Sequence, residues 1–100
     1  MKVSIIGAGP TGSFSAYLLA KAGFDVTIYE NHSEIGVPVQ CSGLVTKTIR
    51  NIDEVFHSNE FEKVIANKIN LVRFFSPNDS CEISLKSADL VLHRARLDKW

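Results

Sequence analysis

Cysteine is scarce: Cys41 and Cys81 are the only two in 100 residues, too few for a disulfide framework. Neither sign of charge is in excess. Eleven basic and eleven acidic side chains cancel, which leaves no sequence-wide field to hold nucleic acid or an anionic membrane. No charged leader with a long apolar core follows Met1-Lys2-Val3, so a reducing cytoplasm is the expected compartment. Repeats and low-complexity segments are also lacking. Asn31-His32-Ser33 and Asn78-Asp79-Ser80 match the glycosylation sequon, but without a secretory signal they read as chance matches in polar loops. What is left, at 45% hydrophobic and 22% charged side chains, is an ordinary globular composition the size of one small domain.

The chain opens on Val3-Ser4-Ile5-Ile6, a short and mostly β-branched run that reads as a strand buried on both faces of a parallel sheet. From Gly12 the spacing of Ala16, Leu19 and Ala20 predicts a helix, ended by Lys21-Ala22-Gly23 with the glycine as C-cap. Phe24 to Tyr29 is β-branched and aromatic and reads as a second strand closing on Glu30, which makes a right-handed βαβ unit. The polar, glycine-rich segment Asn31 to Gly43 is longer than a plain connection needs and is expected to touch a ligand. Leu44, Val45, Ile49, Ile52 and Val55 follow at helical spacing, so a short helix is expected over Leu44 to Val55. Ile69 to Phe75 and Cys81 to Leu85 are strand-like, and the turn formers Ser76 to Ser80 join them into a hairpin. Leu90 to Leu92 reads as a last short strand and Arg94 to Trp100 as the opening of a helix.

Gly7-Ala8-Gly9-Pro10-Thr11-Gly12 is a Gly-x-Gly-x-x-Gly run placed after a predicted strand and opening a predicted helix. Gly7 permits the tight turn, Gly9 lets a pyrophosphate approach the backbone, and Gly12 lets helix and strand pack closely. Unpaired amides at the helix start favour the negative charge. Glu30 stands eighteen positions beyond Gly12, where a strand-end carboxylate accepts both hydroxyls of an adenosine ribose and repels a 2′-phosphate. No lysine or arginine follows in Asn31-His32-Ser33. An unphosphorylated ribose is therefore favoured, in FAD or NAD, and NADP is disfavoured.

The same residues, with Ser13, Ala16, Leu19-Ala20, Gly23, Val26, Glu30 and Gly36, resemble the N-terminus of flavoproteins of the glutathione reductase and aromatic hydroxylase superfamily. Ile35 to Val45, with its Pro38-Val39-Gln40-Cys41 core, is similar to the geranylgeranyl reductase family, which includes the digeranylgeranylglycerophospholipid reductases. The resemblance runs on through Leu92 to Asp98, where the family's Arg-x-x-Phe/Leu-Asp stretch brings an arginine, here Arg94, to the FAD. Thr11 stands where alanine or glycine is common, and the segment after Cys41 is one residue shorter than in some members.

The resemblance implies an α/β, Rossmann-like FAD-binding βαβ unit followed by a β-hairpin that starts a substrate-binding domain, in an incomplete fold. The boundaries it implies are 1–58 and 89–100 for the FAD-binding part and 59–88 for the hairpin. The implied cofactor is FAD, held by Gly7, Gly9, Gly12, Glu30, Cys41, Ser42, Gly43 and Arg94. Cys41 is implied to lie beside the flavin, the alternative being a packed apolar thiol; for Arg94 the alternative is a surface arginine. The implied reaction is saturation of isoprenoid double bonds in lipid precursors. Its partners would be an isoprenoid lipid substrate and an electron donor, with peripheral membrane contact through a missing remainder. A flavin monooxygenase of the aromatic hydroxylase type and a non-enzymatic half-domain are the competing readings. Cys81 reads as a packing residue; Asp53-Glu54, Glu60 and Glu62 read as solvated. His32, His57 and His93 read as surface or packing residues without metal-ligand spacing. By itself the 100-residue chain is expected to be marginally stable and inactive.

Overall fold

The computed structural model describes residues 1–100, which form two compact units: Met1–Gln40 with Arg94–Trp100, and Cys41–His93. In the first, β1 (Lys2–Ile6) and β2 (Asp25–Tyr29) pair in parallel, Lys2 opposite Asp25 through Ile6 opposite Tyr29. Between them runs α1 (Pro10–Lys21), which starts two residues before the glycine where the sequence pattern places its onset. Pro10 explains the earlier start, because its fixed φ suits the first helical position and its missing N–H is no loss there.

The end of α1 follows the expected cap. Gly23 has φ +89°; its amide donates to the Ala20 carbonyl and the Phe24 amide to the Leu19 carbonyl, the double bond of a Schellman motif. β1 is not buried on both faces as expected. Val3 and Ile5 are half-buried, whereas Ile6 is 91% exposed. The short sheet is packed by α1 on one side, and side-chain alternation sends Ile6 the other way.

The second unit is built on a long hairpin. β4 (Ile65–Phe75) and β5 (Ser80–Leu92) pair antiparallel, from Phe75 opposite Ser80 to Ile65 opposite Leu92, with register shifts between Ile65 and Asn67 and between Ile69 and Leu71. The Ser76 amide donates to the Asp79 carbonyl at 2.8 Å, and the Asp79 amide to Ser76 Oγ at 3.1 Å, closing the expected turn. Leu90 to Leu92 is not a separate strand but the end of β5, continued through the bulged ladder.

The expected helix over Leu44 to Val55 is absent. Leu44–Val45 forms β3, paired with Val91 and Leu90 at the edge of a sheet ordered β3-β5-β4, and two 3₁₀ turns follow at Lys47–Asn51 and Glu54–His57. The apolar spacing that mimicked a helix serves a strand end and two tight turns. β3 joins the hairpin's sheet, and the units divide after Gln40 and after His93.

The core of this unit gathers Phe56, Phe61, Val64, Leu90 and Leu92. The Phe56 and Phe61 rings meet edge to face at 5.2 Å, and the Arg50 guanidinium lies 5.5 Å from the Phe61 centroid. Arg50 also donates to the Phe56 carbonyl and pairs with Glu62. Ser58 Oγ accepts the Phe61 amide at the start of α2 (Asn59–Glu62). The acidic residues expected to be merely solvated are thus partly employed: Glu62 on Arg50, Glu60 on Lys63, and Asp53 as acceptor of the Val55 amide. Cys81 is exposed on the hairpin opposite Phe74, which corrects its packing assignment. No helix of the chain is long and apolar enough to cross a membrane.

Gly12 tests the closeness of α1 to the turn before it. A β-carbon there would fall inside van der Waals contact of the Gly7 carbonyl oxygen and 3.1 Å from its carbon. Gly12→Ala is therefore expected to destabilise the first unit by about 1–3 kcal/mol, read as a lowered urea midpoint; an unchanged midpoint would show that the turn yields freely.

Candidate dinucleotide-binding site

The turn between β1 and α1 is shaped by two glycines for two different reasons. Gly7 takes φ +98°, a conformation L side chains rarely adopt, and its amide donates to the Tyr29 carbonyl at 2.7 Å. Gly12 is required by the contact just described. Gly9 is different: as N-cap it has φ −69° and ψ 177°, open to any residue, and a β-carbon there would meet nothing within 4 Å. Nothing inside the protein demands glycine at position 9, so the space above it suits a group from outside.

That space adjoins the start of α1. No side chain caps the helix and no acidic residue lies in its first turn, so the orphan amides and the positive end of the dipole favour an anion. Ser13 is turned to the loop, its hydroxyl donating to the Ala8 carbonyl at 3.0 Å and its amide to the Gly9 carbonyl at 2.9 Å. A pyrophosphate fits this cradle.

Glu30 follows β2 directly, its side chain 21% exposed. One carboxylate oxygen, Oε2, accepts the Ala8 amide at 2.8 Å. The other, Oε1, accepts the His32 amide at 2.9 Å and faces His32 Nδ1 at 2.7 Å. The Ala8 amide, then the His32 amide, then the imidazole hold this carboxyl well below its ordinary 4.5, at about 2, with the Asn31 amide adding a smaller pull against a modest desolvation. Glu30 is thus a tether between the end of β2 and the glycine turn. The tether, and the part His32 plays in it, were missed from sequence; the signal available was a histidine two residues after the strand-end acid.

Arg94 opens α3 (Arg94–Lys99). Its Nε and Nη2 each donate to Asp98 at 3.1 Å, and the two side chains are only 18% and 10% exposed, so it is not a surface arginine. The Asn31-to-Gln40 loop is fastened to the same helix. Gly36 has φ +79° and sits where a β-carbon would lie 3.0 Å from Asp98 Cβ and 3.2 Å from Ala95 Cα, and Glu34 pairs with Lys99.

Cys41, Ser42 and Gly43 belong to the second unit. Cys41 is exposed rather than a packed apolar thiol, its Sγ accepting the Gly43 amide at 3.4 Å. Ser42 Oγ accepts the Leu44 amide at 3.5 Å. Gly43 has φ +77°, and its carbonyl accepts the Leu92 amide, which joins the loop's end to β5. No three His, Cys, Asp or Glu side chains cluster so as to hold a metal ion.

The family described as NAD(P)-binding Rossmann-like domain matches residues 5–60. This chain belongs to that family. Its membership agrees with the parallel βαβ unit, the glycine turn and the strand-end acid, and implies a dinucleotide cofactor. Digeranylgeranylglycerophospholipid reductase 2 of Methanopyrus kandleri is 36% identical over 98 residues, 98% of this chain and 24% of that relative. The digeranylgeranylglycerophospholipid reductase of Thermoplasma volcanium is 34% identical over 103 residues, covering 97% and 25%. Among solved structures, a geranylgeranyl bacteriochlorophyll reductase-like protein of Thermoplasma acidophilum superposes with a TM-score of 0.84 at 30% identity, over 98% of this chain and 25% of that one. The resemblance to geranylgeranyl reductases drawn from residues 35–45 is borne out by these relatives. The chain spans about a quarter of their length.

Because the folded-state value of Glu30 is depressed, its contribution to stability is complete above about 4.5 and is lost as pH falls toward about 2. A carbon-13 titration of the Glu30 carboxyl is expected to show a midpoint near 2, with the Ala8 and His32 amide resonances moving in step. A midpoint at the ordinary carboxylate value would mean that the tether does not form in solution.

Proposed function

We propose that this chain is the dinucleotide-binding part of a flavin-dependent oxidoreductase that reduces the isoprenoid, geranylgeranyl-type double bonds of lipid precursors. The observation that carries the reading is the empty space at Gly9 beside an uncapped helix start and a strand-end carboxylate, in a chain similar over nearly its whole length to digeranylgeranylglycerophospholipid reductases. FAD is the proposed dinucleotide, because Glu30 suits an unmodified ribose and the reductase-like segment follows it. The flavin, when bound and reduced by the electron donor, would supply hydride to one alkene carbon while a proton reaches the other; the protein supplies placement and a dry site.

In this reading Gly7, Gly9 and Gly12 shape the pyrophosphate cradle, and the α1 amides meet its charge. Glu30 accepts the ribose hydroxyls. Arg94 contributes donors more than net charge, since Asp98 offsets its cation. Cys41, Ser42 and Gly43 form the flavin-side loop, with the exposed Cys41 thiol beside the ring. An isoprenoid lipid and an electron donor are the partners, and the setting is cytoplasmic and peripheral to the membrane.

The complete gene product is expected to purify yellow and to release FAD on denaturation. Gly9→Val should strip the flavin while β1 and α1 stay formed, since the backbone at Gly9 tolerates a side chain and the added atoms enter the pyrophosphate's place. A colourless protein that takes up NAD and not FAD, or full flavin content in Gly9→Val, would overturn the reading.

Cys41→Ala in the same protein should keep its FAD yet change turnover of a geranylgeranyl lipid, because a residue beside the ring alters the pocket and not the adenosine anchor. Equal turnover by variant and wild type would remove Cys41 from the site.

A further inference from the structure

The hydrogen-bond capacity of Glu30 is nearly used up before any ligand arrives. A carboxylate offers about four acceptor positions, two on each oxygen. Oε2 accepts the Ala8 amide at 2.8 Å as its one close donor, and the Asn31 amide adds only a weaker pull on the carboxylate. Both positions on Oε1 are filled, by the His32 amide at 2.9 Å and by His32 Nδ1 at 2.7 Å. At that separation bare lone pairs on nitrogen and oxygen would repel, so the proton sits on Nδ1 and the ring donates.

A ribose diol binds a carboxylate through both oxygens, one hydroxyl to each. Oε2 can take one hydroxyl as it stands. Oε1 cannot take the other until a donor leaves, and its two donors differ in what their departure costs. Removing the His32 amide means rebuilding the chain just after β2. The imidazole can leave by a side-chain rotation, and its side chain is 56% exposed, so water takes over its polar atoms at little cost.

We propose that the His32 imidazole stands in for a ribose hydroxyl on Glu30 Oε1 and is displaced when a dinucleotide binds, which makes His32 a positioning residue that sets adenosine affinity. This rests on the reading of Glu30 as ribose acceptor, but not on the identity of the flavin or of the lipid. With the site empty, the ring keeps the carboxylate aimed and hydrogen-bonded. On binding, the ring must be exchanged for the hydroxyl, and the affinity is lowered by the strength of the bond given up. Exposed pairs of this kind are weak, so the penalty is small and the exchange readily reversible.

The test uses the complete gene product, freed of bound dinucleotide, and ADP, which carries the ribose diol and the pyrophosphate, with 2′,3′-dideoxy-ADP as the probe lacking the diol. His32→Ala is expected to bind ADP about two- to fivefold more tightly than wild type, and to bind the dideoxy probe no differently. In wild type, nitrogen-15 spectra of the imidazole should show Nδ1 losing its carboxylate partner as ADP is added, a readout that needs no variant. Unchanged or weaker ADP binding in His32→Ala, or a tightening equal for both probes, would overturn the displacement. If neither protein binds ADP while both give folded amide spectra, the ribose-acceptor reading itself fails, and the inference with it.

Discussion

The bond from the Ala8 amide to Glu30 Oε2, at 2.8 Å across 22 positions of sequence, organises the first unit. It ties the turn leaving β1 to the residue that follows β2, beside the bond from the Gly7 amide to the Tyr29 carbonyl. The parallel pairing of β1 and β2 therefore continues past both strands into the loop that starts α1. A charged acceptor makes such a bond stronger than a neutral one, and the low pH at which Glu30 gains its proton expresses the same preference for the ion.

This tether explains why the cradle can be ready before a ligand arrives. Glycine residues make the turn possible, but they also make it loose, because each leaves the backbone a wide choice of conformations. Holding the Ala8 amide limits that choice at the point where a pyrophosphate would approach. Ala8 itself is buried, so the loop is anchored from below while the space above Gly9 stays open. At the other end of the unit, Gly36 against Ala95 and the Glu34–Lys99 pair fasten the long loop to α3. A segment whose length and polarity suggested a ligand loop is thus held to the scaffold at Gly36.

The readings that survived were those resting on local chemistry. The α1 helix, the Gly23 cap and the Ser76-to-Ser80 turn each depend on residues a few positions apart, and each is found. The readings that failed depended on distant partners. Leu44 and Val45 fit a helical spacing, yet Val91 and Leu90 claim them for a sheet. Leu90 to Leu92 reads as a separate last strand, yet β4 carries the ladder on to it across bulges. Cys81 alternates with Ile83 and Leu85 as a packed residue should, but it is exposed.

The sequence by itself determined the glycine turn, the strand-end acid and the family they belong to, because backbone freedom, charge and period are properties of residue type and spacing. Only the tertiary structure decided how those parts are used. It showed that Gly9 is unconstrained from within whereas Gly7 and Gly12 are not, that Arg94 is held by Asp98, and that Glu30 is already shared between Ala8 and His32. Each of these is a matter of which donor, acceptor or empty volume lies within a few ångströms. Residue type states what a group can bond, and folding alone states what stands within its reach.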